Sequence, residues 1–301
     1  MKIAVLLSTY NGELYINELM QSIYSQVCNL EIIVCVRDDG SSDNTLKIIE
    51  KWKSKLNIRV DIGNNIGPRD SFKKLIDSAP NCDYYAFCDQ DDIWHSDKIS
   101  SAVQYLENYK MLFGPSMPLL YFCNASLVNS KGNKILQRRR TEFLPLLNYE
   151  NVIVENPALG CEMVFNHELR LSLQKVSFIH YFMHDVVAID LASVIGKIIY
   201  DEIPRIDYRQ HLASVTQGHK KIKSFFNKLN FWFFQKDISI SLQAKELLQL
   251  FPNNDKKEIL NKIGKYRSGV NRFKIIFDKR FRSSNFRCNR SFILRVLSGV
   301  A

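Results

Sequence analysis

The sequence has no CxxC pair, no internal repeat and no low-complexity tract. Its seven cysteines are scattered singly, and Cys35, Cys88, Cys123 and Cys161 sit inside apolar runs, where cysteine behaves as a small hydrophobe. An odd number of isolated thiols argues against a disulfide-framed secreted domain and for a reducing compartment. Long hydrophobic runs are also missing. Ile3 to Leu7 is apolar, but the chain turns polar at Ser8, too soon for a signal peptide and far too soon for a membrane span. A cytoplasmic location is expected. No GxGxxG follows the first apolar run and no GxxxxGK[ST] occurs anywhere, so the usual dinucleotide and P-loop phosphate cradles are absent. His180 and His184 stand four apart without a HExxH glutamate or a third ligand, which argues against a zinc pair.

What is present suffices for a large fold. The 301 residues are 46% hydrophobic and 12% aromatic, ample for one large domain and an appendage. The net charge of +10 is unevenly placed. From His219 onward there are 19 Lys and Arg against 5 Asp and Glu, whereas residues 1–218 hold 22 against 26. A mildly acidic body, 1–218, thus precedes a basic extension, 219–301. Basic extensions seek phosphate, whether on nucleic acid, anionic lipid or a phosphorylated substrate.

The body alternates in pattern. Ile3 to Tyr10 and Glu31 to Val36 read as buried strands, and Ile58 to Ile62 and Tyr84 to Asp89 as a third and a fourth strand. Between them lie helical patterns through Ile16, Leu19, Met20, Ile23, Tyr24 and Val27, through Thr45 to Lys53, and through Phe72, Leu75 and Ile76. Continuous apolar strands in a βαβαβαβ rhythm predict an α/β fold, a Rossmann-like, mostly parallel doubly wound sheet with helices on both faces. Ligands of such sheets bind where the strands end. Here the strand ends carry Ser8-Thr9-Tyr10-Asn11-Gly12-Glu13, Asp38-Asp39-Gly40-Ser41, Asn65-Ile66-Gly67 and Asp89-Gln90-Asp91-Asp92. Adjacent carboxylates beside an apolar wall repel, and a hard divalent cation would offset that. The alternative is an acidic turn that caps the next helix, and Asp38 and Asp39 could likewise serve only as caps.

STYNGE, DDGSSDNT, the NxG loop and DQDDIW, in this order and spacing, resemble the family 2 glycosyltransferases of GT-A fold. GCEMVFN, His184-Asp185 and YRQH extend the likeness to the bacterial rhamnosyltransferase-like branch, over residues 1 to about 215. The resemblance implies an inverting transferase. Ser8, Thr9, Tyr10, Glu13, Asp39, Arg69 and Asp89 would hold the nucleotide, with Asp39 accepting from a uracil or thymine imide. Asp89, Asp91 and His211 would bind Mn²⁺ or Mg²⁺. Asp185 would be the catalytic base, and Asp92, Trp94 and His184 would face the donor or acceptor sugar. Asp92 could instead orient Trp94 or cap the following helix, and Arg69 and His211 could each be surface residues. The implied donor is a dTDP- or UDP-sugar, dTDP-rhamnose first, and the implied acceptor a glycan on a lipid diphosphate. The region after the base reads YRQHLASVTQ and lacks the QxxRW of processive members, which implies single additions.

In the extension, Ile222, Phe225, Phe226, Leu229, Trp232 and Phe233 fall on one helical face flanked by Lys220, Lys221, Lys223 and Lys228. That is the pattern of an interfacial helix at an anionic membrane, here the inner face of the cell membrane. The same stripe could pack on the body with its lysines solvated. Lys257 to Tyr266 and Arg272 to Arg282 also read as basic helices. No nucleic-acid module is recognisable, and nucleic-acid binding would leave the acidic crevice unexplained.

Overall fold

The computed structural model describes residues 1–139, 144–210, 238–266 and 270–298. Its first half follows the sequence pattern. Strands β1 (Lys2–Thr9), β2 (Glu31–Asp38), β3 (Asn57–Ile62) and β4 (Tyr84–Asp89) run parallel in the order β3-β2-β1-β4. Helices α1 (Ile16–Tyr24), α2 (Thr45–Trp52) and α3 (Pro68–Ser78) connect them. β1 alternates between two cores: Ala4 and Leu6 pack on one face of the sheet, Ile3, Val5 and Leu7 on the other. Burial on both faces is why its sequence is a continuous apolar run.

Beyond β4 the sheet becomes mixed. β5 (Ile93–Trp94), α4 (Lys98–Phe113), β6 (Leu119–Asn129), β7 (Lys134–Leu136) and α5 (Tyr149–Val152) follow. Then β8 (Met163–Asn166) inserts antiparallel between β4 and β6. It enters from a loop at the carboxyl end of β4 rather than through a helical crossover, so its direction is reversed. After α6 (His167–Lys175) and α7 (His184–Ile195), β9 (Lys197–Gln210) pairs parallel with β6 and antiparallel with β5. The expected parallel character thus holds for the first four strands, while β8 turns the sheet antiparallel at the edge of β4.

Polar side chains fix the joins. Asn166 accepts the amide of Leu169, capping α6, and the amide of Leu119 at 2.9 Å, and donates to the Met117 carbonyl at 2.8 Å. Arg170, also on α6, is buried and donates to the carbonyls of Ile76 and Ala79 at the end of α3, at 3.0 and 2.7 Å. A cation there satisfies carbonyls that have no helical partner and opposes the helix dipole.

Among the described residues, four helices follow in the basic extension: α8 (Ile240–Leu250), α9 (Lys257–Gly264), α10 (Val270–Ile276) and α11 (Phe286–Ser298). Ala244, Leu247, Leu260, Ile263, Ile275, Phe292 and Val296 join the same apolar cluster as Phe72 and Val187 of the body. The second predicted basic helix, Arg272 to Arg282, is shorter than expected. Its ladder stops soon after Ile276, where Asp278 takes Lys262 and Arg280 as partners. The predicted boundary at 218/219 and the stripe from Ile222 to Phe233 lie outside the described residues. No helix among the described residues is long and apolar enough to cross a membrane.

Replacing Arg170 by Met should leave the α3 carbonyls unsatisfied in an apolar setting and lower stability by about 1–3 kcal/mol. A chemical denaturation curve checks this; an unchanged midpoint would mean that the α3–α6 joint does not depend on that cation.

Candidate active site

Register places the strand ends side by side. Ser8 of β1 lies opposite Asp89 of β4, and Thr9 lies opposite Asp38 of β2. The Thr9 hydroxyl donates to Asp38 at 3.0 Å, and Asp38 also accepts the Ser41 amide and hydroxyl at 2.9 and 2.6 Å. Asn11 takes a left-handed φ of 48°, a conformation that Asn tolerates better than most residues, and its Oδ1 accepts the Ser42 amide at 2.9 Å. Gln90 binds both backbone groups of Tyr10, at 2.9 and 3.0 Å, tying the β4 loop to the β1 loop. A Cβ at Gly12 would stand 2.3 Å from Gln90 Oε1, so a larger residue would displace Gln90 from this joint.

These loops form one wall of a cleft of about 1010 Å³. Ser8, Thr9, Tyr10, Asp39, Asp89 and Asp91 line it, as expected from the strand ends. The opposite wall comes from Asn156, Leu159 and Gly160 and from the segment Phe182 to Val186. The first part is held by Glu162, fully buried, which accepts Arg139 in a two-pronged pair at 2.8 and 2.7 Å and the Leu159 amide at 2.8 Å. The second part is the start of α7.

The acidic cluster is buried where its charges interact. Burial, then Asp91, then Asp185 push the Asp89 carboxyl up to about 7. Asp92 is driven well above the carboxylate range by burial and by Asp91 and Asp89. One Asp92 oxygen accepts the Arg209 amide at 2.9 Å, and the other faces only the Cys161 thiol, a weak donor. Oxygens of Asp89 and Asp92 and the sulfur of Cys161 lie within 4.8 Å of one another. The carboxylates suit a hard divalent cation, which would let them ionise together, whereas the Cys161 thiol, pushed well above its usual range by burial and by Asp92, stays protonated.

Asp185 is half-buried at the first turn of α7. Burial raises its carboxyl to about 6 and outweighs the Val186 amide, which donates to Oδ1 at 2.8 Å. Its neighbour His184 is buried with neither ring nitrogen hydrogen-bonded, and it stacks on Phe72 at 3.6 Å and edges Phe87 at 4.6 Å. Burial pulls its imidazole down to about 3, so the ring is neutral. Gly160 makes room for it: a Cβ there would stand 2.3 Å from Nε2.

Four expected ligand residues are placed otherwise. Glu13 faces the Asn44 amide and side chain, both at 2.9 Å, and serves the turn rather than the cleft wall. Arg69 is drawn off the wall by Asp70 and by the Tyr181 carbonyl. Trp94 is buried in the α1–α4 core, with Lys98 Nζ 4.6 Å from its ring. Asp92 lies behind the wall and cannot meet a sugar directly. His184 and Asp185 do line the cleft, whereas His211 lies outside the described residues. Asp39 reaches the cleft, but its carboxylate already accepts the amides of Ile66 and Gly67, at 3.0 and 2.8 Å.

Sequence reasoning missed Arg209. It is buried, donates to the Asp91 carbonyl at 2.8 Å and the Ser130 carbonyl at 3.0 Å, pairs with Glu18, and lies 4.7 Å from the Tyr15 ring. It bolts the end of β9 to the acidic loop. Its place inside YRQH was the available signal. Cys161 was likewise read only as a small hydrophobe.

If Asp185 is the proton acceptor, its carboxyl, raised to about 6 by burial, must be ionised to act, so turnover should rise with pH through about 6 and then level off. A pH–rate profile checks this, and a flat rate down to pH 4.5 would contradict it.

Residues 4–142 match the family described as Glycosyl transferase family 2. The chain is 28% identical over 247 residues to the dTDP-rhamnosyl transferase RfbG of Shigella flexneri, covering 75% of this chain and 80% of that one. Over 122 residues, 38% of this chain and 45% of the other, it is 32% identical to the UDP-Glc:α-D-GlcNAc-diphosphoundecaprenol β-1,3-glucosyltransferase WfaP of Escherichia coli. The crystal structure of Staphylococcus aureus TarS 1-349 with UDP-GlcNAc superposes with a TM-score of 0.61 at 17% identity, covering 100% of this chain and 80% of that one. The chain carries a family 2 glycosyltransferase domain on a GT-A fold, and it is a glycosyltransferase.

Proposed function

We propose that the enzyme transfers one sugar at a time, with inversion, from a dTDP- or UDP-sugar to a glycan carried on a lipid diphosphate in bacterial surface-polysaccharide synthesis. The observation that carries this is the meeting of Asp89, Asp91 and Asp185 in one cleft between the strand-end loops and α7. The first choice of donor is dTDP-rhamnose. RfbG is named for that activity, and the wall beside Asp185 is apolar, with Leu159, Phe182, Met183 and Val186, which suits the methyl group of a 6-deoxyhexose. A UDP-hexose or UDP-N-acetylhexosamine is the second reading, supported by the UDP-GlcNAc complex of TarS and the name of WfaP. The same name supports a lipid-diphosphate acceptor, which would place the enzyme at the membrane surface.

In this reading Asp39 and the β1 loop take the nucleoside. Asp185 accepts the proton of the acceptor hydroxyl as its oxygen bonds to the anomeric carbon. The bond from that carbon to the diphosphate breaks on the opposite side, and the nucleoside diphosphate leaves. Inversion is the usual outcome in this family. Asp89 and Asp91 would hold Mn²⁺ or Mg²⁺, with His211 a candidate third ligand, and the cation when bound supplies positive charge for the leaving diphosphate. Neutral His184, stacked on Phe72, adds no second charge beside Asp185.

Asp185→Asn keeps the shape and removes the proton acceptor. Transfer should fall ~10²–10⁴-fold while donor affinity stays. Nucleotide release from a panel of dTDP- and UDP-sugars, with calorimetry of donor binding, checks both; near-normal transfer would place the base elsewhere. Asp91→Ala should weaken donor binding only when metal is present, and equal weakening without metal would remove its role as a ligand.

A further inference from the structure

α10 and α11 each present two apolar faces. Ile275, Phe292 and Val296 are buried in the shared cluster, and Phe281, in the connection, stacks on Phe292 at 6.0 Å. The outward faces are apolar too. Val270, Phe273 and Phe277 are 72%, 54% and 78% exposed, and Phe286, Leu294 and Leu297 are 72%, 61% and 45% exposed. At 3.6 residues per turn, the second set forms a stripe about 80° wide, and the first, with Phe277 just past the end of α10, one about 60° wide. The two helices meet where Arg272 of α10 donates to the Leu297 carbonyl at 3.1 Å. Residues 270–298 hold eight Lys and Arg and one Asp, and Lys274, Lys279, Arg287 and Arg290 stand exposed around the aromatics.

We propose that this face docks the enzyme on an anionic lipid bilayer. Phe273, Phe277 and Phe286 enter the headgroup boundary, and the surrounding cations hold the anionic headgroups. The proposal rests on the reading of a lipid-linked acceptor and names the surface that serves it. A twofold contact with a second copy would bring two such basic faces together, and like charges oppose that. Nucleic acid would use the cations but leave the phenylalanine stripe in water. The position is also apt. The connection between the two helices is pinned by Asn151, which donates to the carbonyls of Arg280 and Arg282 at 2.8 Å each, and by the contact of Ser283 with Glu155. The next residue, Asn156, lines the cleft. Docking here would set the catalytic wall beside the bilayer.

The test is co-sedimentation of the full chain with vesicles of phosphatidylglycerol and phosphatidylcholine, against phosphatidylcholine alone, in low and high salt. Wild type should prefer the anionic vesicles and retain part of its binding in high salt. The triple variant Phe273→Ser, Phe277→Ser, Phe286→Ser should lose that salt-resistant part, with partition down about tenfold or more. Its thermal midpoint, and its turnover on a short soluble acceptor, should match wild type. Arg287→Gln with Arg290→Gln should lower only the salt-sensitive part. If wild type prefers anionic vesicles and the triple variant binds them equally, this face is not the contact, although the membrane reading stands. Should wild type show no preference, the membrane reading itself fails. A triple variant with a lowered midpoint or altered mass in solution would show that protein covers the face, which also overturns the proposal.

Discussion

Asp89, Asp91, Asp92 and Asp185 repel one another, and burial strengthens that repulsion by removing the water that would screen it. Burial first, and then their neighbouring carboxylates, push Asp89 and Asp92 upward, so that protons stay on part of the cluster, while burial alone is the main cause for Asp185. Much of the surrounding structure restrains the cluster. Arg209 fixes the acidic loop from behind through the Asp91 carbonyl and the Asp92 carboxylate. Gln90 fixes it from the front through Tyr10. The reversal of direction at β8 brings Gly160 and Cys161 beside the loop, because an antiparallel strand starts where its neighbour ends. The parallel half of the sheet supplies the strand-end loops of one cleft wall, and the chain beyond β4 supplies the opposite wall, which carries Asp185.

The C-terminal helices belong to the same physical unit. α8 to α11 bury apolar side chains in the cluster that also holds Phe72 and Val187, so the described part of the extension supports α3 and α7. Its charge then stands on the surface rather than in a separate tail. That arrangement lets one segment brace the cleft wall and carry basic charge on its outer surface.

Much of this was legible in the sequence. The four parallel strands follow from continuous apolar runs, and strand ends in a parallel sheet must share an edge, so Ser8, Thr9, Asp39, Asp89 and Asp91 converge by topology alone. The insertion of β8 was not legible, because MVFN is a four-residue run with no directional signal. Glu13, Arg69 and Trp94 were assigned by motif position, but which way a side chain points depends on its nearest partner: Asn44, Asp70 and the Lys98 ammonium hold them elsewhere. Arg209 was hidden because arginine in a strand-end motif reads as exposed, and only the packing of Glu18, Tyr15 and the Ser130 carbonyl around it explains its burial.

The central claim is that the acidic cluster is a metal and nucleotide-diphosphate site. Calorimetry of dTDP and UDP binding with and without Mn²⁺, at pH 7 in two buffers of different ionisation enthalpy, tests it most directly. With Asp89 held at about 7 in the free protein, ionisation on binding should release protons, so the measured heat should differ between buffers only when Mn²⁺ is present. Nucleotide binding of equal strength without metal, with no proton release in either buffer, would contradict the account.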